Sequence, residues 1–236
     1  MAELRLYDRS RVIEDWKCHR SRFYKYEYDG KGIVSGNIAL ELYLGQVLHD
    51  SLATIARQQK DIGAVEIDLI AGAAHSQMMK SLLAQTTGEI DDVNFANEQA
   101  ALVEGLLRGF YKHVWPTLIA QYPHILLIEE ELLYEHDNLG FMSKPDLVVE
   151  DREGNLWYVE YKSTSSKKEG WVNSWATAVQ LHSSIRTSET TLKRSVTGVI
   201  VQGLYKGYCL APDTPVLTSD LRWVDVESLQ VGDKLS

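Results

Sequence analysis

The hydrophobic pattern in the first half of the chain is typical of α-helices. Over residues 37–60, apolar side chains recur at spacings of three to five, at Ile38, Leu42, Val47, Leu48, Leu52 and Ile55. Such spacing places them on one face of a helix. A polar connection over residues 86–92 leads to a second helical pattern over residues 97–121, in which Pro116 predicts a kink or a break. We therefore expect two helices before the first strand.

From residue 124 onward the pattern becomes that of β-strands. Short runs of apolar, β-branched and aromatic residues predict strands over residues 125–128, 146–150, 156–162 and 196–201. Gly154-Asn155, between the second and third of these strands, predicts a hairpin turn. A further helix is expected over residues 170–186. This order of elements predicts an α/β fold in which helices flank a central mixed sheet.

The composition is that of a globular protein with a sizeable core. Of the 236 residues, 44% are hydrophobic, and no apolar run is long enough to span a bilayer. The N-terminal sequence lacks the basic and apolar segments of a leader, so we expect a cytoplasmic protein without a membrane partner. The two cysteines, Cys18 and Cys209, are widely separated and indicate no disulfide framework.

The net charge of −9 limits how this protein could bind nucleic acid. It argues against binding through a broad basic surface. It does not argue against a nuclease, because carboxylates gathered around divalent cations reverse the local sign of the charge.

Three charged residues on two neighbouring predicted strands form the main candidate site. Residues two apart on a strand point to the same face, so Glu160 and Lys162 are expected side by side. Asp146 lies at the start of the preceding strand, and a hairpin at Gly154 would bring it close to Glu160. Carboxylate oxygens suit Mg²⁺ or Mn²⁺, which bind phosphate oxygens well. The sequence therefore predicts metal-assisted phosphate chemistry.

These residues resemble a known signature. Lys144-Pro145-Asp146 followed by Glu160-x-Lys162 resembles the motif of the PD-(D/E)XK nuclease superfamily. Gly45-Gln46-Val47-Leu48-His49 resembles the helical G-x-x-x-H motif of the RecB-like branch, and Gln180 corresponds to the glutamine of that branch. The resemblance covers about residues 16–206. It implies a restriction-endonuclease-like core.

The resemblance also implies roles for individual residues. Asp146 and Glu160 would be catalytic metal ligands, and His49 a further ligand for Mg²⁺ or Mn²⁺. Lys162 would orient or deprotonate the attacking water and stabilise developing negative charge, and Gln180 would position Lys162 or the DNA backbone. Ser184 stands where the family often has a tyrosine. The implied activity is that of a DNA exonuclease of phage or bacterial recombination and repair.

Two other segments are candidates for a part in the site. Arg20, Arg22 and Tyr24 lie in a stretch that interleaves basic and aromatic residues, which suits contact with single-stranded DNA, although a partly exposed structural segment is an equal alternative. In Glu129-Glu130-Glu131, either one carboxylate lies near the metal or the three form a solvated strand face.

The same family leaves two functional alternatives open. One is a catalytically inactive DNA-binding subunit that works with a helicase or recombination partner. The other is a CRISPR-associated nuclease with a 4Fe–4S cluster, in which Cys18 would act with cysteines near the C-terminus, and this is the less favoured alternative. Intact Asp146, Glu160 and Lys162 favour an active nuclease over the first alternative.

The last part of the chain resembles a different kind of protein. Cys209, followed by Asp213-Thr214-Pro215-Val216 and later by Val231-Gly232-Asp233, resembles the first block of an intein, or Hint domain. The resemblance implies that the Cys209 thiol attacks the Tyr208 carbonyl in an N-to-S acyl shift. We therefore expect a nuclease domain over residues 1–208, lacking its C-terminal part, and an intein fragment over residues 209–236. Splicing would need a complementary intein half or the remaining sequence as its partner.

Overall fold

The computed structural model describes residues 5–33, 40–85, 90–165, 171, 175, 178–206, 215–217, 219, 222–225 and 228. The chain divides into two compact units, Met1–Tyr205 and Lys206–Ser236. The predicted junction between Tyr208 and Cys209 lies outside the described residues.

The first unit is an α/β structure, as the sequence predicts. Its described α-helices are α1 Arg9–Lys17, α2 His19–Tyr26, α3 Leu40–Ile62, α4 Ile67–Leu83, α5 Ile90–His113, α6 Trp115–Gln121 and α7 Val179–Leu192. Its described strands are β1 Arg5–Tyr7, β2 His124–Ile128, β3 Leu132–His136, β4 Leu139–Ser143, β5 Leu147–Glu150, β6 Leu156–Thr164 and β7 Val196–Tyr205. None of the helices in the described residues is long and apolar enough to cross a membrane.

The expectation of only two helices before the first strand of the central sheet is wrong, because α1, α2 and α4 are also present. Helices α1 and α2 are short, with 9 and 8 residues, and bury none of them, so they offer few apolar positions from which a helical period can be recognised. Helix α4 packs through small side chains such as Ala71 and Ala74. The predicted break at Pro116 is confirmed, since α5 ends at His113 and Pro116 lies in the first turn of α6.

The central sheet has the order β2-β5-β6-β7 and is mixed, as predicted. Strands β2 and β5 are antiparallel, β5 and β6 are antiparallel, and β6 and β7 are parallel. The predicted turn between β5 and β6 is confirmed, with Gly154 at a φ of +86° that favours glycine. Asp151 Oδ1 stabilises this turn by accepting hydrogen bonds from the backbone N–H groups of Glu153 and Asn155.

The central sheet lies between two layers. Alternate residues of β5 point to opposite faces. Leu147 and Val149 pack in the core formed with α3, α4, α5 and α6, whereas Val148 packs with Tyr158 of β6 and Leu181 of α7. Even-numbered residues of β6 therefore face the α7 side, and these include Glu160 and Lys162.

A second sheet, which the pattern did not predict, has the order β1-β4-β3. Strands β3 and β4 form an antiparallel pair, and β1 pairs with β4 in parallel. Helix α7 contacts β3 and β4 of this sheet as well as β7 of the central sheet. One helix therefore joins the two sheets.

The second unit contains a short antiparallel pair among its described residues. Strand β8 Pro215–Leu217 pairs with β9 Trp223–Asp225, with Val216 opposite Val224.

Candidate metal and catalytic site

The candidate site forms at one edge of the central sheet. Glu129 comes directly after β2, and Asp146 comes directly before β5. Because these two strands are antiparallel, the end of one lies beside the start of the other. The backbone N–H of Glu129 donates hydrogen bonds to the backbone carbonyls of Pro145 and Asp146, each at 3.1 Å, and these bonds hold the two segments together. His49 reaches the same edge from α3.

His49, Glu129 and Asp146 form a group that could hold a metal ion. His49 Nδ1 lies 3.1 Å from Asp146 Oδ1 and 3.4 Å from Glu129 Oε1, and the ligand atoms of the three residues lie within 4.8 Å of one another. The set comprises one imidazole nitrogen and two carboxylates. Carboxylate oxygens suit Mg²⁺ and Mn²⁺, and the imidazole adds a donor that transition metals accept. The donor set therefore fits the metal that the sequence implies.

The sequence did not show which of the three glutamates Glu129, Glu130 and Glu131 would lie near the metal; in the structure it is Glu129. Its side chain is 10% exposed, whereas Glu130 and Glu131 are exposed residues. Its φ of +49° is uncommon for a residue other than glycine. The hydrogen bonds from its N–H help to fix this backbone, which aims the carboxylate at His49. Sequence pattern alone could detect the acidic cluster but could not choose the glutamate.

Gly45 lies one helical turn before His49. A Cβ added at Gly45 would meet no atom within 4 Å. Close packing among the described residues therefore does not require a glycine at this position.

Glu160, expected to be a metal ligand, is fully buried and lies outside the His49, Glu129 and Asp146 group. Its Oε1 pairs with the ammonium of Lys162 and accepts a hydrogen bond from the amide of Gln180. Its Oε2 accepts a hydrogen bond from the hydroxyl of Tyr158. The structure thus brings together Glu160, Lys162 and Gln180, as expected for one site, and adds Tyr158, which the sequence analysis did not single out.

Helix α7 places Gln180 between two partners. Its side-chain oxygen accepts a hydrogen bond from Arg9 of α1, while its nitrogen donates to Glu160. Ser184, one turn later, is buried beside the Tyr158 hydroxyl. Tyr158 of β6 therefore lies between Glu160 of its own strand and Ser184 of α7.

Lys162 also contacts an aromatic ring. Its ammonium lies 5.5 Å from the centre of the Trp175 ring, a distance typical of a cation–π contact. Trp175 is partly exposed, and it packs both against the hydrophobic cluster that contains Val148 and Tyr158 and against this charged group.

The charges of the site stabilise one another. Burial disfavours the charged form of His49, but its hydrogen bonds with Asp146 and Glu129 outweigh this and raise its pKa to about 10. Burial likewise opposes ionisation of Glu129, but His49 and Lys144 together lower its pKa. Lys144 Nζ lies 2.7 Å from Glu129 Oε2, so the lysine of the Lys144-Pro145-Asp146 motif pairs with this carboxylate.

The environment of Glu160 raises the pKa of its carboxyl, whereas that of Glu129 lowers it. Burial raises its pKa, and the neighbouring Asp146 carboxylate raises it further, while Lys162 and Tyr158 act in the other direction. A buried carboxylate of this kind needs the positive charge and the donors around it. A bound divalent cation would supply more of that charge.

The candidate DNA-binding residues lie on α2. Arg22 pairs with Asp15 at 2.7 Å and with Glu27 at 2.6 Å, so nearby carboxylates balance its charge. The guanidinium of Arg20 lies 5.8 Å from the centre of the Tyr24 ring. These contacts stabilise the helix and leave the equal structural alternative open.

Of the two cysteines, the structure describes Cys18 but not Cys209. Cys18 is exposed and lies between α1 and α2. Cys209, the expected splicing nucleophile, lies outside the described residues.

No protein-family model and no curated protein matches the chain. What the site can do follows from its donors, burial and charges.

Proposed function

We propose that the protein is a Mg²⁺- or Mn²⁺-dependent nuclease that hydrolyses phosphodiester bonds of DNA. The observation that supports this most is the convergence of His49, Glu129 and Asp146 at the sheet edge beside the strand of Glu160 and Lys162. The order of elements adds support. A helix with the histidine, an antiparallel hairpin with the carboxylates and a following helix with the glutamine is the arrangement expected of a restriction-endonuclease-like core.

The residues of this chain divide the work. His49, Glu129 and Asp146 would hold the cation, which when bound would polarise the phosphate and favour ionisation of a water. Lys162, 22% exposed, would orient that water, take part in proton transfer and stabilise negative charge on the phosphate. Gln180 and Tyr158 fix the Glu160 carboxylate that faces Lys162.

Within this activity we propose a RecB-like exonuclease of phage or bacterial recombination and repair, which rests on the motif resemblance. The alternative of an inactive DNA-binding subunit predicts DNA binding without cleavage. The alternative of a 4Fe–4S nuclease predicts iron bound through Cys18, and replacement of Cys18 by alanine would remove the iron. A cleavage assay distinguishes the first alternative from the main proposal, and an iron determination distinguishes the second.

A cleavage assay on a radiolabelled linear duplex and on a single strand tests the proposal. We expect the wild-type protein to degrade DNA in Mg²⁺ or Mn²⁺ and to be inactive in EDTA. Asp146→Ala or Glu160→Ala should abolish cleavage, while cooperative unfolding in urea shows that the variant is folded. Asp61→Ala, an exposed position near the end of α3, is the matched control and should keep wild-type activity.

Two outcomes would contradict the nuclease assignment. The first is full activity in a folded Asp146→Ala variant. The second is cleavage by the wild-type protein that persists in EDTA.

We also propose that Cys209 begins a self-splicing element. The unit Lys206–Ser236 is compact by itself, and its described residues form the β8–β9 pair. Short antiparallel β segments are the structure expected where the sequence resembles an intein.

A further inference from the structure

A cavity of about 580 Å³ lies between the β1-β4-β3 sheet and helix α7. The sheet contributes Tyr7, Tyr134 and Phe141, and α7 contributes Val179, Ser183 and Arg186. This volume is within the usual range for small-molecule sites, about 300–1,000 Å³. It is a separate space from the metal group at the edge of the central sheet.

The aromatic rings form one row across three strands. Tyr7 of β1 and Tyr134 of β3 are both register partners of Phe141 on β4. Side chains directly opposite each other share a face of the sheet. Three rings therefore line one wall of the cavity. Such a wall favours a flat aromatic ligand, which stacks on the rings.

The opposite wall is one face of α7, and it connects the cavity to the candidate site. Val179, Ser183 and Arg186 recur at helical spacing, so they face the cavity together. Gln180 lies next to Val179 and donates its amide hydrogen to Glu160. The hydroxyl of Ser183 donates a 2.9 Å hydrogen bond to the backbone carbonyl of Gln180. The first turn of α7 therefore serves the cavity and the site at once.

Cations lie at the other end of the cavity. The Arg186 guanidinium lies 5.0 Å from the centre of the Tyr134 ring, and its side chain is 61% exposed. Arg186 also lines a smaller cavity of about 250 Å³ with Glu189, Lys193 and Arg194. Arg186 pairs with Glu189 at 3.9 Å, and Arg194 pairs with Glu150 at 2.9 Å. Three cations and one carboxylate line this smaller cavity, so a ligand whose ring enters the aromatic cavity would meet a net positive charge outside it. A nucleotide has this combination of a flat ring and a phosphate.

We infer that the aromatic cavity receives an unpaired nucleobase of the DNA strand that is cleaved, and that its backbone runs toward Arg186 and Lys193. This inference rests on the proposed nuclease function and names the substrate form, a single-stranded end or overhang. A base inside a duplex is covered by its stacked neighbours and cannot enter such a cavity unless it is flipped out, which costs free energy. Stacking tolerates any base, so no sequence preference is expected.

Fluorescence anisotropy of a labelled oligodeoxynucleotide, measured with Ca²⁺ in place of Mg²⁺, tests the cavity without cleavage. Tyr134→Ala should weaken binding of a single strand by about 5- to 100-fold, the range for loss of one base–aromatic stack. Tyr134→Phe keeps the ring and should bind as the wild type does. Leu133→Ala, on the same strand but outside the cavity lining, is the matched control. Binding of a blunt duplex should not depend on Tyr134.

A second variant fills the cavity instead of enlarging it, in case Tyr134→Ala does not fold. Val179→Phe should weaken binding of the single strand but not of the blunt duplex, and Val179→Leu should not weaken either. Equal loss for both DNA forms in Tyr134→Ala or Val179→Phe, or unchanged single-strand binding in a folded variant, would overturn the inference.

The two proposals fail in different ways. Single-strand binding that depends on Tyr134, without cleavage in Mg²⁺ or Mn²⁺, would support the cavity and overturn the nuclease. Cleavage that needs Asp146 but is indifferent to Tyr134 on overhang and blunt substrates would support the nuclease and overturn the cavity.

Discussion

The backbone N–H of Tyr161 donates a 2.7 Å hydrogen bond to Oδ2 of Asp146. This bond ties the residue before β5 to the strand that bears Glu160 and Lys162. The other oxygen of Asp146, Oδ1, lies 3.1 Å from His49 Nδ1. The orientation of this carboxylate therefore depends on the backbone of the sheet as much as on the side chains around it.

Glu129 should matter for metal binding although it stands outside the sequence motifs. Glu129→Gln keeps the shape of the side chain but removes the charge that faces His49 and Lys144, so we expect Mn²⁺ affinity to fall at least about tenfold. Titration calorimetry with Mn²⁺ measures this. Glu131→Gln, an exposed neighbour, is the control and should bind as the wild type does. Equal affinities of the two variants would exclude Glu129 from the site.

Lys162 and His49 should affect cleavage in different ways. Lys162→Ala should lower the cleavage rate at least about 100-fold with Mn²⁺ affinity largely retained, because Lys162 is proposed to act on the water and the phosphate. His49→Ala should weaken Mn²⁺ affinity, and excess Mn²⁺ should partly restore its activity. Single-turnover rates over a range of Mn²⁺ concentrations distinguish the two, and Lys80→Ala on the exposed side of α4 is the control. Identical behaviour of both variants, without rescue, would refute this division of roles.

Two neighbouring tyrosines should respond oppositely to loss of the hydroxyl. Tyr158→Phe removes a donor to the buried Glu160 carboxylate and should lower the free energy of unfolding by about 1–3 kcal/mol. The hydroxyl of Tyr161 is buried and has no hydrogen-bond partner in the described part of the chain, so Tyr161→Phe should leave stability unchanged or raise it by about 1 kcal/mol. Urea unfolding of the two variants tests this contrast. A larger loss in Tyr161→Phe would mean that its hydroxyl has a partner.

The β5–β6 turn should make stability depend on pH at acidic values. Burial opposes ionisation of Asp151, but hydrogen bonds from Asn155, Trp157 and Glu153 outweigh it and lower its pKa from 3.8 to about 2. A carboxyl whose pKa is lower in the folded state stabilises the fold above its unfolded pKa, and this contribution is lost as pH falls. Asp151→Asn should therefore be less stable than the wild type at pH 5–7, and the difference should narrow between about pH 4 and pH 2. Urea midpoints across this range would contradict the prediction if the difference stayed constant.

The proposed splice junction can be tested with the two cysteines of the chain. With a complementary intein half supplied, the ligated product should end its first segment at Tyr208 and lack residues 209–236. Cys209→Ala should block this reaction because it removes the attacking thiol. Cys18→Ala, which replaces an exposed cysteine, should not. Intact mass spectrometry decides, and ligation that survives Cys209→Ala would rule out the junction.

The local pattern of the sequence predicted the strands of the central sheet. Strands β2, β5, β6 and β7 lie where short runs of apolar, β-branched and aromatic residues predict them, and the turn at Gly154 follows from residues that are adjacent in the chain. The sequence pattern did not predict the three strands of the second sheet, β1, β4 and β3. Strand β1 is only three residues long, and β3 has mostly exposed or half-exposed side chains, so neither has a clear apolar alternation.

Sequence alone also determined the residue types of the candidate site, because Asp146, Glu160, Lys162, His49 and Gln180 stand in a recognisable spacing. Tertiary structure decided how they are partnered. It chose Glu129 from three adjacent glutamates, placed Tyr158 and Gln180 on Glu160, and set the row of Tyr7, Phe141 and Tyr134 opposite α7. The physical reason is the range of the interactions. Periodicity and turn chemistry act between residues a few positions apart. The contacts of Glu129 with His49, of Gln180 with Glu160 and of Tyr7 with Phe141 join residues 20 or more positions apart, and they exist only after the sheets and helices have packed.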